Sequence, residues 1–136
     1  LENGPLEVVP GSHKTEIHSL WHDGVFTGAV DAKIEKDSRK NAVMCTGKAG
    51  DACLMHTRVL HGSLPNKTKV PRCLYIATYA SEDSIALDRN HLPSKYDGEI
   101  VRGKRTGTVR ASSYNMALPE YPEEASFFNQ QSKTVS

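Results

Sequence analysis

No stretch of the 136 residues approaches the roughly 20 consecutive apolar positions that a membrane-spanning helix needs. The opening LENGPLEVVP has neither the basic start nor the apolar block of a signal peptide, so a cytoplasmic protein without a membrane partner is expected. An excess of either charge is missing too. Seventeen Lys and Arg stand against sixteen Asp and Glu, and a net charge of +1 gives no long-range field to draw the chain to nucleic acid. The three cysteines (Cys45, Cys53, Cys73) lack a CxxC spacing and lie in apolar, strand-like segments. Buried thiols in a reducing compartment are expected, with no disulfide or zinc site. There is no internal repeat or low-complexity segment. At 38% hydrophobic the chain has the makings of one domain with a single core, burying roughly two-thirds of the surface exposed on unfolding.

What is present reads mainly as short strands. Leu6 to Val9 is a strand candidate ended by the turn signal Pro10-Gly11-Ser12. His13 to Ala32 shows neither clean alternation nor a helical stripe and reads as loop with short elements. Asp31 to Lys40, DAKIEKDSRK, reads as a solvated connection. Asn41 to Thr46, the turn GKAGD and Ala52 to His56 suggest an antiparallel hairpin. Val59 to Ser63 is a further extended piece after a bend at Thr57 and Arg58. Arg72 to Ala80, RCLYIATYA, is the clearest strand by composition. Residues 84–136 carry three prolines, a basic block from Val101 to Arg110 and a short helix candidate, EEASFFNQQ, and are expected to be largely irregular. The basic block reads as a solvated segment, and Trp21 and Tyr79 as core residues. Clustered short strands with little helix point to an all-β sandwich or jelly roll.

The chemistry gathers between Gly50 and Asp83. A lone histidine in an apolar run, such as His61, is ordinarily a packed residue. Its neighbours add a second reading. Strand side chains alternate, so Val59, His61 and Ser63 share a face, and a hairpin closing over Leu64 to Pro71 brings Arg72 near Ser63. Imidazole, hydroxyl and guanidinium then line one cavity. A guanidinium there calls for an anion, its planar fork suits a carboxylate held bidentately, and no acid in the hairpin is an obvious partner.

GDACLMHTRVLHGSLPNKTKVPR, with NGPLEVVPGSHK upstream, resembles the phytanoyl-CoA dioxygenase family of Fe(II)/2-oxoglutarate-dependent oxygenases. The match lies in the His-Gly-Ser run, the Asn-containing loop, the arginine eleven residues after the histidine, and the PGSHK turn after an Asn-Gly strand start. It covers residue 2 to about residue 83. The resemblance implies a double-stranded β-helix, a cupin-like jelly roll. It makes His61 the distal iron ligand, and Arg72 with Ser63 the grip on the far carboxylate of the cosubstrate 2-oxoglutarate. It also implies hydroxylation of an aliphatic C–H of a small-molecule substrate, with 2-oxoglutarate decarboxylated to succinate. Residues 1–83 would be the C-terminal portion of the catalytic domain and residues 84–136 an irregular extension packed on it.

The sequence departs from the family at one point. Such an iron is held by two histidines and a carboxylate, the first two ligands in a His-x-Asp or His-x-Glu motif. The residues two beyond His13, His18, His22, His56, His61 and His91 are Thr15, Leu20, Gly24, Arg58, Ser63 and Pro93, none of them acidic. The expectation is a chain incomplete at its N-terminus, lacking the motif-bearing strands and inactive or weakly active alone, with exposed strand edges that favour a homo-oligomer. The alternative is a non-catalytic jelly-roll module that binds a small carboxylate.

Overall fold

The computed structural model describes residues 2–87 and 94–111. The chain divides into two compact units, the division falling between Leu74 and Tyr75. In the first unit the regular structure is mostly strand, with one helix. Strand β1 (Leu6–Val8) is the centre of a three-stranded sheet, flanked by β4 (Val43–Cys45) and β5 (His61–Ser63), both antiparallel to it. Strands β2 (Trp21–His22) and β3 (Val25–Phe26) form a separate hairpin. Its turn, Asp23-Gly24, has φ of 52° and 77°, the positive pair that a two-residue hairpin requires. The Trp21 and Phe26 rings meet edge to face at 5.3 Å across it.

The register sorts the sheet into two faces. Leu6 lies between Cys45 and Ser63, and Val8 between Val43 and His61. Directly opposed residues project to the same side, so Leu6, Val8, Val43, Cys45, His61 and Ser63 share one face. Glu7, Met44 and Gly62 take the other. On that second side stands α1 (Ala32–Arg39), whose Arg39 guanidinium pairs with Glu7 at 2.9 Å.

Helix α1 corrects the reading of residues 31–40 as a connection. It buries no residue and is built from local polar contacts. The Asp31 carboxylate accepts from the Lys33 amide at 2.8 Å, Glu35 pairs with Arg39 one turn on, and Lys40 pairs with Asp37. The expected hairpin between residues 41 and 56 is also corrected, because β4 finds its ladder on β1 and residues 52–56 form no strand. The composition-rich segment 72–80 has no strand at all. β-branched and aromatic residues favour a ladder only where one is offered, and among the described residues none pairs with this segment.

The single core is corrected as well. Among the described residues no hydrophobic side chain is buried, and Tyr79, read as core, is 69% exposed. Cys45 is half-buried, while Cys53 and Cys73 are exposed, against the expectation of buried thiols. Among the described residues only Gly4 and Ser12 are buried. Order in the first unit therefore rests on backbone pairing and polar contacts more than on apolar burial.

The second unit, over residues 75–87 and 94–111, contains neither helix nor strand. Its two stretches are joined through acids. The Glu82 carboxylate accepts from the Thr106 amide and hydroxyl at 3.0 and 2.8 Å, and Asp83 pairs with Arg110 at 3.1 Å. The helix candidate EEASFFNQQ lies outside the described residues. No helix among the described residues is long and apolar enough to cross a membrane.

Candidate active site

Two segments that flank β1 hold β5 in place. The chain leaves β1 through Pro10 and Gly11, whose φ of 83° needs glycine, into a turn of 3-10 helix at Ser12–Lys14. Here the Ser12 hydroxyl donates to the Val9 carbonyl at 2.8 Å and accepts from the Leu60 amide at 2.8 Å, while the Val9 amide donates to the Leu60 carbonyl at 2.9 Å. Leu60 is thus gripped at both its backbone groups, one residue before His61. Arg58 adds a bond to the Thr15 carbonyl at 2.6 Å.

At the other end of β5 the grip is steric. Gly4, at φ 64°, lies so close to the Leu64 carbonyl that a side chain there would overlap it. Close by, the Lys67 amide donates to the Glu2 carbonyl at 2.8 Å. The two buried residues of the described chain therefore bracket the three residues His61, Gly62 and Ser63.

On this strand the His61 Nδ1 lies 2.7 Å from the Val59 carbonyl. A carbonyl can only accept, so Nδ1 carries the proton and Nε2 presents a lone pair. Metal-bound histidines are oriented in this way, with the second nitrogen donating to a backbone carbonyl. The His61 side chain is exposed, on the apolar sheet face.

The loop from Leu64 to Pro71 returns the chain to Ser63, and Asn66 shapes it. Its side-chain amide donates to the Val70 carbonyl at 2.8 Å, and its carbonyl oxygen accepts from the Thr68 amide and hydroxyl at 2.9 and 2.8 Å. Arg72 then stands beside Ser63, one Nη donating to the serine hydroxyl at 3.3 Å and the other to the Asn3 carbonyl at 3.3 Å. No carboxylate pairs with Arg72 among the described residues. The structure thus brings together His61, Ser63 and Arg72. Arg72 does not arrive as a strand partner of β5, as the sequence suggested, but at the end of a side-chain-organised loop.

Comparison with known proteins accords with this arrangement. The sequence profile of the phytanoyl-CoA dioxygenase (PhyH) family matches residues 1–73, more than half of the chain. The chain belongs to this family. Among curated proteins, it is 30% identical over 127 residues to the probable alpha-ketoglutarate-dependent hypophosphite dioxygenase of Stutzerimonas stutzeri, covering 89% of this chain and 43% of that one. It is 34% identical over 93 residues to the peroxisomal phytanoyl-CoA dioxygenase of Homo sapiens, covering 63% of this chain and 26% of that one. The chain spans less than half the length of these relatives. No solved structure gives a significant match.

Set against the PhyH family's iron and 2-oxoglutarate, the two halves of the site fare differently. Arg72 and Ser63 fit a carboxylate, with a planar cation and a hydroxyl 3.3 Å apart and no protein acid on the cation. The residues do not fit a complete iron site. Among the described residues no group of three His, Cys, Asp or Glu side chains could hold a metal ion. His22, a conceivable surrogate, hydrogen-bonds the Ala29 carbonyl at 2.9 Å, and His13 packs on His56 with ring centres 5.5 Å apart. No catalytic step through iron is therefore derived from these residues.

Reading the sequence for reactive side chains missed Gly4, Ser12, Asn3 and Asn66, which hold the segments around His61, Ser63 and Arg72 in place. Their signal was there in the Asn-Gly and Pro-Gly-Ser-His runs. In the second unit, Arg102 and Lys104 of the basic block line a cleft of about 290 Å³ with Ser81, Glu82, Asp83 and Thr106. Arg105 and Arg110 of the same block are engaged, on the Gly98 carbonyl and on Asp83.

Proposed function

We propose that this chain carries the cosubstrate-anchoring portion of an Fe(II)/2-oxoglutarate-dependent oxygenase with the double-stranded β-helix fold. The whole protein hydroxylates an aliphatic C–H of a small molecule while 2-oxoglutarate is converted to succinate. The observation that carries this reading is the Arg72–Ser63 pair, free of any described carboxylate, at one end of the strand whose other end presents the His61 lone pair. Arg72 holds the far carboxylate of 2-oxoglutarate in its fork, Ser63 donates its hydroxyl proton to the same carboxylate, and His61 Nε2 serves as one protein ligand of the metal. Iron and 2-oxoglutarate, when bound, supply the oxygen chemistry. The protein's part is to position them and exclude water.

His61 supplies one of three ligands, and none of the six histidines has an acid two residues on. The His-x-Asp pair would accordingly come from polypeptide outside these 136 residues, carried on strands that cover the face bearing Leu6, Val8 and Val43. The outer edge of β5 has no ladder partner among the described residues and is open to such a strand or to a second copy of the chain. The names of the two relatives specify different substrates, hypophosphite and phytanoyl-CoA. No individual substrate is therefore assigned to this chain.

The test is binding, not turnover. 2-Oxoglutarate titrated into the isotope-labelled chain without metal should shift the amide resonances of Ser63 and Arg72. Arg72→Ala should weaken the titration at least ten-fold, with Arg72→Lys between, because lysine keeps the charge and loses the fork. Equal affinity in all three proteins would remove the carboxylate grip and the reading with it.

A further inference from the structure

The basic cleft of the second unit has no part in the proposed cosubstrate grip. Two stretches form its wall, Ser81 to Asp83 and Arg102 to Thr108, around a volume of about 290 Å³. The acids and hydroxyls of that wall are engaged with one another. Ser81 gives its hydroxyl proton to Asp83, whose carboxylate also pairs with Arg110 at 3.1 Å. Thr106 gives its hydroxyl proton and its amide to Glu82 at 2.8 and 3.0 Å, and Thr108 gives its hydroxyl proton to Thr106 at 3.1 Å. Arg105, donating to the Gly98 carbonyl at 2.7 Å, adds a positive charge that favours the ionised Glu82. Both acids are thus compensated before Arg102 and Lys104 are counted.

Arg102 and Lys104 stand apart from this network. Neither pairs with an acid among the described residues. Between them Gly103 takes a φ of 90°, with open space where a side chain would stand, and the amides of Gly103 and Lys104 donate to no described backbone acceptor. What the cleft leaves uncommitted is therefore a guanidinium fork, an ammonium and two amides, all of them donors, carrying two positive charges. A carboxylate would neutralise one of those charges. A phosphate monoester carries about −1.5 to −2 at neutral pH and offers three acceptor oxygens, which matches the charge and the donors together. At the lower bound of roughly 300 Å³ for small-molecule pockets, the space suits a phosphate with a small organic group rather than a large ligand.

We propose that this cleft binds a small phosphate monoester, with Arg102 and Lys104 on the phosphate oxygens and the Gly103 turn closing against them. The carboxylates of Glu82 and Asp83 do not contact the phosphate; they hold Thr106 and Arg110 and so keep the two stretches of the wall together. The inference is independent of the oxygenase reading, since every residue it uses lies in the second unit and it requires neither metal nor 2-oxoglutarate.

The isotope-labelled 136-residue chain is titrated with phenyl phosphate, inorganic phosphate and benzoate, and the amide resonances are followed. Phenyl phosphate should shift Gly103 and Lys104 saturably, and should bind at least ten-fold more tightly than benzoate, a monoanion with the same ring. Arg102→Gln and Lys104→Gln should each weaken phenyl phosphate at least five-fold, since each removes a charge-assisted bond. Lys95→Gln is the control, because it removes the same charge from a lysine that lies over the Tyr96 ring and does not line the cleft. It should change affinity by less than two-fold, roughly the effect of an exposed charge at a distance. The Thr106 amide, bonded to Glu82, reports whether the wall is intact in each variant, and the comparison of phenyl phosphate with benzoate decides on the unaltered chain alone. Equal affinity for those two probes, an equal loss in Lys95→Gln, or no saturable shift at Gly103 would overturn the proposal. Inorganic phosphate binding as tightly as phenyl phosphate would overturn the monoester as the ligand.

Discussion

Replacing Ser12 by alanine isolates what holds the strand of His61. The hydroxyl makes two 2.8 Å bonds, one given to Val9 and one received from Leu60, and the residue is 8% exposed. A hydrogen bond in a protein is worth about 1 kcal/mol net, and a donor left buried without an acceptor costs about 1–3 kcal/mol. The Leu60 amide would be left in that position. Val9 loses less, because its carbonyl still accepts from the Ser12 amide at 3.2 Å. The expected cost is therefore about 2 kcal/mol, felt locally at the join of the Pro-Gly-Ser turn and β5. Hydrogen exchange reads this directly, since local opening sets the protection of each amide. Protection of the Leu60 amide should fall by about 30-fold in Ser12→Ala, a factor of ten for each ~1.4 kcal/mol. Ser12→Thr, which keeps a hydroxyl, should recover most of it. The amides of α1, which Ser12 does not touch, should exchange as before. If Leu60 protection moved by less than three-fold, the hydroxyl would not be the clamp described here.

Gly4→Ala should be more damaging than Ser12→Ala, because the new methyl meets the Leu64 backbone and the positive φ disfavours any side chain. The loss of amide protection should spread through both Leu6–Val8 and His61–Ser63, and protection confined to normal values would refute the close approach. His61→Ala should leave metal-free binding of 2-oxoglutarate unchanged within two-fold while abolishing any 2-oxoglutarate-dependent binding of Mn(II). A parallel loss of both would assign His61 to the carboxylate instead. In the second unit, the Glu82 carboxyl is held below its ordinary 4.5 by the hydroxyl and amide of Thr106. A depressed folded value means the contact contributes fully above 4.5 and is lost as pH falls through the lower folded value. The Thr106 amide resonance should accordingly titrate with a midpoint below 4.5, and a midpoint at or above 4.5 would count against the contact.

The placing of Arg72 beside Ser63 was more legible in the sequence than the architecture. Strand alternation alone set His61 and Ser63 on one face, and the length and composition of Leu64 to Pro71 brought Arg72 back beside them. The strands were harder to read because β propensity describes fitness for a half-buried, paired surface. Arg72 to Ala80 has that fitness, yet lies irregular and exposed, whereas the less apolar His61–Ser63 is a strand because β1 and its flanking segments grip it. Helix α1 was missed for the opposite reason. Its sequence has no apolar stripe, and its signal lay in the aspartate cap and the four-residue spacing of Glu35 and Arg39. Asn-Gly and Pro-Gly-Ser-His read in the sequence as a turn signal and as part of the family resemblance. Their role as clamps on another strand depends on contacts up to about sixty residues away in sequence, which local pattern does not contain.

These clamps bear on how the strand of His61 and Ser63 stays in register where little apolar surface is buried. A slip of one residue along β1 would turn His61 and Ser63 to the opposite face, away from Leu6 and Val8. In most sheets that slip is resisted by a packed core face, but no hydrophobic side chain is buried among the described residues. Here the resistance is local, from one steric contact and one hydrogen bond. A shift of β5 by one residue would place Leu64 out of reach of the space Gly4 leaves open, and would take the Leu60 amide from the Ser12 hydroxyl, so both ends would fail together. The two motifs therefore act as a pair, one steric and one hydrogen-bonding, set three residues beyond each other's reach along β5. It follows that loosening either clamp should cost carboxylate affinity at Arg72 as well as strand protection. Ser63, and the Asn3 carbonyl that steadies the guanidinium, sit on the two segments the clamps align.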